Sequence, residues 1–154
     1  MPPLKRSAEL VTADDGSATL EFITAGLLLL VPIVYLVLSI SAVQAATLAV
    51  DGAARQATRV FVQSDTTGHA RSAAARAIAV TLADYGVDAA AADVQIRCRP
   101  RSSACLTRRG FVTVTVRVVV ALPLAPPFLD TGLPGGLPVS ATATEQVSRF
   151  WGSR

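Results

Sequence analysis

From Phe22 to Val50 the chain carries no charged side chain. The central part of this run, residues 22–43, is about as long as a bilayer-crossing helix, which needs roughly 20 apolar residues. A helical rhythm continues past it. Ala46, Ala49, Val50, Ala53, Ala57, Val60 and Phe61 recur three and four apart, the spacing of a single helix face. Asp51 precedes Arg55 by four residues, the favourable order for a charge pair on a helix. The pattern therefore predicts one long helix reaching about Val62. Pro32 lies inside it, either as a simple kink or as a weak point where the helix bends on leaving the membrane. Asp65-Thr66-Thr67-Gly68 reads as a break followed by a new cap. A second helix is expected over residues 69–85, with Ala70, Ala74, Ile78, Leu82 and Tyr85 on one stripe and Gly86 closing it. Arg71 and Arg76 fall off that stripe and read as solvated.

The period then changes from helix to strand. Val94, Ile96 and Cys98 alternate with Gln95, Arg97 and Arg99. Val112, Val114, Val116, Val118 and Val120 alternate with Phe111, Thr113, Thr115 and Arg117, as in a half-buried strand. The short segment between them makes the pair an antiparallel hairpin. A third strand is expected over residues 139–150, with Val139, Ala141, Ala143 and Val147 on one face. Glu145 interrupts that face, which points to an edge strand or a strand end. Residues 122–138 hold five Pro and three Gly, too many breakers for regular structure. The expected class is α+β: a long N-terminal transmembrane helix, a short second helix and a small antiparallel three-stranded sheet. There is no visible internal repeat.

Six residues ahead of the apolar run add a constraint: Gly16-Ser17-Ala18-Thr19-Leu20-Glu21. A carboxylate beside a membrane helix calls for a reason, because an unpaired charge in lipid costs several kcal/mol. The glycine, the acid five positions on and the following helix resemble the class III signal of the TadE-like minor pilins of tight-adherence (Flp-type) pilus systems. The resemblance covers residues 15–62; beyond them the chain shares only the general layout. It implies that a membrane-embedded aspartyl prepilin peptidase cuts after Gly16. Ser17 would then be the new N-terminus, Glu21 the fifth-position acid and Phe22 the aromatic that often follows it. In related pilins that acid pairs with the freed amine of a neighbouring subunit, which offsets two desolvation costs at once. The plainer alternative is that Glu21 lies at headgroup level and is solvated.

The resemblance also implies the domain plan: residues 1–16 as leader, 17–62 as transmembrane and extended helix, and 63–154 as an extracytoplasmic α+β domain of pilin-like form. The implied function is a single-pass minor pilin or pseudopilin that acts in pilus assembly, with its N-terminus cytoplasmic. Its implied partners are the membrane, the prepilin peptidase, other pilin subunits and the Tad secretion machinery. Two other classes stay open. One is an unprocessed, signal-anchored extracytoplasmic binding module. The other is a secreted soluble domain, with Lys5 and Arg6 as the basic start of a signal peptide and Ala42-Val43-Gln44-Ala45 as its cut site. The apolar run exceeds the 7–15 residues of such a signal, and Glu21 stands where a positive charge belongs.

Composition sets limits. The chain has 154 residues, enough for one small domain and an anchor. It is 51% hydrophobic, but much of that is alanine and the membrane run, and there are only five Phe, two Tyr and one Trp. The core must be modest. The net charge of +3 is uneven: residues 44–154 carry twelve Arg against seven acids. The rule that places Lys and Arg inside is nearly silent, since Lys5 and Arg6 face Arg55 and Arg59 across the span. Orientation rests instead on the resemblance and on the cysteines.

Cys98 and Cys105 enclose Arg-Pro-Arg-Ser-Ser-Ala. An even cysteine count in a short, exported domain suggests a disulfide that pins the hairpin near its tip. A metal site would need further ligands, and His69 is distant in sequence. A redox pair would favour two intervening residues. There is no nucleophile elbow, phosphate loop or ligand cluster, so no enzyme activity, cofactor, metal or small-molecule substrate is expected. The hairpin tip concentrates Arg97, Arg99, Arg101, Arg108 and Arg109. Such a patch could take phosphate or an acidic surface polymer, or merely protect a soluble edge. No aromatic is interleaved among these arginines in sequence, which argues against single-stranded nucleic acid.

Overall fold

The computed structural model describes residues 17–121 and 136–152. The first element, α1 (Ser17–Gln63), is one uninterrupted helix of 47 residues, and Pro32 does not end it. The chain divides into two compact units, Met1–Leu36 and Val37–Arg154, and α1 contributes to both.

In the first unit, every residue from Ala18 to Val34 is exposed. The exposure is all round: Leu20, Phe22 and Leu28 are 68%, 79% and 73% accessible. A helix that is apolar on every side belongs in an apolar environment, whether lipid or packed protein. With a mean hydropathy of 2.5 over its best window, α1 is long and apolar enough to cross a membrane.

In the second unit, burial of α1 becomes one-sided. Ala46, Ala49, Val50, Ala53, Ala54, Ala57 and Phe61 are buried, whereas Leu48, Arg55 and Arg59 are exposed. The helical spacing selects all of these buried positions but Ala54, and Val60, which it also selects, is half-buried. Small side chains let neighbours come close: a β-carbon on Gly52 would lie 3.4 Å from Thr81 Cγ2 of the second helix. That helix, α2 (Thr67–Asp84), starts two residues before the expected point because Thr66 is its cap, its hydroxyl accepting from the His69 N–H at 3.2 Å. Ala70, Ala74, Ile78 and Leu82 are buried as the stripe predicts. Tyr85 is not part of that stripe. It is the C-terminal cap, its N–H turned back to the Leu82 carbonyl, and is 45% exposed. Asp88 then caps a single 3₁₀ turn, Ala89–Ala91, that the alanine-rich sequence does not announce.

Three antiparallel strands follow in the order β1 (Asp93–Arg99), β2 (Phe111–Val120), β3 (Leu137–Gln146). The α+β class is therefore as expected. Val94, Ile96 and Cys98 face Val116, Val114 and Val112, which face Ala141, Ala143 and Glu145 in turn. This face packs into the core except at Val94, which is exposed; Val112, Val114 and Val116 of the central strand are buried alongside Phe61, Ile78, Leu82 and Val147. Each such valine contributes about 1.5 kcal/mol by leaving water.

The third strand differs from its expected bounds. It begins two residues earlier, taking in Pro138 opposite Val119, and it stops at Gln146 rather than running to Phe150. An edge strand tolerates a proline because the outward N–H is not needed for pairing. Past Gln146 the chain turns, with the Trp151 N–H donating to the Ser148 carbonyl. Glu145 is half-buried in this edge strand, one residue from its end. The Pro/Gly-rich segment lies outside the described residues except at its last three positions.

Candidate functional site

Two regions carry the residues singled out by sequence. The first is the start of α1. Glu21 is exposed within the helix, between Leu20 and Phe22, one turn from the residue that opens it. Ser17 and Glu21 are four residues apart, about one helical turn. Among the described residues Glu21 has no cationic partner; the ion pair they do contain is Asp51–Arg55, at 3.0 Å. Gly16 lies outside the described residues, as does any leader before it. At this end the arrangement offers a lone carboxylate at the mouth of an all-apolar helix.

The second region is the β1–β2 hairpin. Cys98 and Cys105 are joined in a disulfide with their Cα atoms 5.0 Å apart. The loop they close is small: just past it the Thr107 hydroxyl donates back to the Ala104 carbonyl, and Leu106 is buried. Gly110 ends the loop where no side chain fits. A β-carbon there would meet the Thr107 carbonyl at 2.9 Å and that of Arg99 at 3.1 Å. The Gly110 carbonyl accepts from the Val147 N–H at 2.8 Å, which ties the loop to the segment after β3.

All five arginines of the patch are exposed and gather at this end of the sheet. Arg97 and Arg99 project from the outward face of β1, opposite to the face of Cys98. Arg101 lies in the loop. Arg108 donates from Nε to the Trp151 carbonyl at 2.8 Å. Arg109 adopts a left-handed backbone (φ 59°), its N–H bonded to the Val147 carbonyl and its own carbonyl accepting from the Gln146 side chain at 3.2 Å. Among the described residues none of the five pairs with a carboxylate.

The tertiary structure adds what linear spacing misses. Phe111 is the register partner of both Arg99 and Gln146 and is 44% exposed on the outward face. Nearby in sequence to Trp151, the Arg149 guanidinium sits 4.6 Å above the Phe150 ring. Strand pairing thus sets one aromatic, Phe111, beside one arginine of the patch, Arg99. The signal for Phe111 was its place in the strand alternation, out of phase with the valines.

Outside these regions little converges. Among the described residues no three His, Cys, Asp or Glu side chains are placed to hold a metal. His69 is exposed in the first turn of α2. A shallow groove of about 500 Å³ between α1 and β3 is lined by Asp51, Arg55, Arg59 and Glu145 among others, with the Asp51–Arg55 pair neutralising part of it. Comparison with protein-family models, with curated proteins and with solved structures finds no match.

Proposed function

We propose that this protein is a membrane-anchored minor pilin or pseudopilin of a Flp-type (Tad) pilus, released from its leader by a prepilin peptidase and acting in pilus assembly. The observation that carries the reading is Glu21. It is a single carboxylate at the start of a helix that is exposed and apolar on all sides, five positions after Gly16. In lipid such a charge is stable only with a partner. Cleavage after Gly16 supplies one, the new amine of Ser17.

That amine could be met within the chain, one helical turn away, or across to a neighbouring subunit. Only the second arrangement fixes one subunit against another. In that state the amine of each chain meets the acid of the next, and both desolvation costs are offset within the assembled helices. The C-terminal domain then lies outside the cytoplasm, where a Cys98–Cys105 disulfide persists. The chain has no charge between Phe22 and Val50 to stop it sliding into register with its neighbours in the membrane.

Intact mass of the protein extracted from its native membrane tests the reading. A mass corresponding to a chain beginning at Ser17 supports it. A chain retaining Met1 points to a signal-anchored binding module, and one beginning near Ala46 to a secreted domain; either result overturns it.

A further inference from the structure

We propose that the outward face of the sheet, at its hairpin end, binds single-stranded nucleic acid, with Phe111 as the stacking platform and Arg97, Arg99 and the loop arginines holding phosphates. This does not depend on the pilus reading, since the same face exists whether or not the chain is processed.

The outward face is polar along most of its length. Its rows are Asp93–Arg117–Ser140, Gln95–Thr115–Thr142, Arg97–Thr113–Thr144 and Arg99–Phe111–Gln146. The threonines of the middle rows bond to each other, Thr113 to Thr144 and Thr115 to Thr142, both at 2.9 Å. Their hydroxyls are thus engaged within the sheet. The last row is different. A large aromatic ring stands on the central strand, open to solvent, with a guanidinium on one side and an amide on the other. Gln146 is held in place by its bond to the Arg109 carbonyl. Arg97 lies diagonal to the ring, one row back on the same face.

Charge complementarity selects the partner. Residues 94–129 contain six arginines and no acid. Within the three strands the carboxylate of this face is Asp93, four residues from Arg97 and six from Arg99, about 20 Å from the latter at the rise of a strand; off the sheet, Asp65 lines a groove with Gln146. Glu145 belongs to the opposite face. The ligand is therefore polyanionic, and its affinity must fall with salt. The ring adds a second requirement. A polyphosphate or an acidic lipid surface would use the arginines and leave Phe111 idle. A splayed nucleotide strand uses both, its base stacking on the ring while its phosphates reach the flanking guanidinium groups. A duplex hides its bases from such a platform.

The test is fluorescence anisotropy with the full-length protein in nanodiscs of zwitterionic lipid, using labelled dT20, an abasic oligomer of the same length, a 20-base-pair duplex and inorganic polyphosphate as competitor. The expected result is salt-sensitive binding of dT20, several-fold tighter than the abasic oligomer or duplex. Phe111→Ala should weaken dT20 about fivefold or more and leave the abasic oligomer unchanged, whereas Phe111→Trp retains binding. The double variant Arg97→Ala/Arg99→Ala should weaken both strands. Absence of dT20 binding, equal binding of dT20 and the abasic oligomer, preference for the duplex, or indifference to Phe111→Ala each overturns the proposal. So does displacement of dT20 by polyphosphate at equal phosphate concentration. Circular dichroism of each variant separates lost binding from lost folding; if Phe111→Ala unfolds the sheet, Phe111→Leu, which keeps bulk but not the π-face, must show the same loss.

Discussion

The indole N–H of Trp151 donates to the backbone carbonyl of Ser64, 3.1 Å away and 87 residues earlier in the chain. Ser64 directly follows α1, where terminal carbonyls lack helical partners. The Trp151 carbonyl in turn accepts from Arg108 in the hairpin loop. One residue near the C-terminus therefore joins the end of α1 to the disulfide-bearing hairpin.

Trp151→Phe keeps most of the ring and removes the donor. It should lower stability by about 1 kcal/mol, the usual net worth of such a bond. Thermal unfolding of the C-terminal region, followed by circular dichroism of the detergent-solubilised protein, reads this as a lower Tm. An unchanged curve would mean the bond contributes nothing.

The two halves of α1 should respond differently to the same substitution. Ala53 is fully buried, and Ala53→Leu overpacks the core at a cost of about 1–3 kcal/mol. Ala25 is exposed in the apolar segment, and Ala25→Leu should leave stability and membrane insertion unchanged. Denaturation in detergent and carbonate extraction of membranes measure the two effects.

Processing should occur between Gly16 and Ser17, so that N-terminal sequencing of native protein reads Ser-Ala-Thr-Leu-Glu. Gly16→Ile should leave the leader attached. Trimming that continues at the same bond in this variant would remove Gly16 from the recognition element.

Glu21→Val should insert and be trimmed normally, because it only lengthens the apolar run. Assembly should fail, because the amine of the neighbouring subunit loses its counter-charge. Counting surface filaments by electron microscopy decides the matter: normal piliation in the variant would show that Glu21 makes no assembly contact.

Non-reducing peptide mapping of native protein should recover Cys98 and Cys105 in one linked species. Cys98→Ser/Cys105→Ser should destabilise the hairpin by about 2 kcal/mol, the loop-closure entropy of so short a link. Free, alkylatable thiols in native material would place the domain in a reducing compartment and reverse the orientation.

The sequence by itself determined the elements whose physics is local. A charge-free run of that length predicts a helix long enough to cross a membrane, and the three-and-four spacing of Ala46 to Phe61 already marks the face that α1 buries. Period-two valines determined β2 and which of its faces enters the core. The stretch from Asp65 to Gly68 and Gly86 marked the ends of α2 to within two residues, and the cysteine pair named its own bond. Gly16 and Glu21 were legible as a spacing, although no described contact expresses them.

Tertiary structure decided what depends on partners far along the chain. Strand β3 could not be bounded locally: its N-terminal limit includes a proline that only an edge position excuses, and its end is set where Val147 turns to bond Gly110. Tyr85 has the spacing of a buried residue but becomes a cap, because the helix stops before its side chain can reach the core. The basic patch shows the same limit most clearly. Along the chain its arginines have no aromatic among them. The antiparallel register sets Phe111 against Arg99, because strand pairing joins residues by position across the hairpin and not by distance along it.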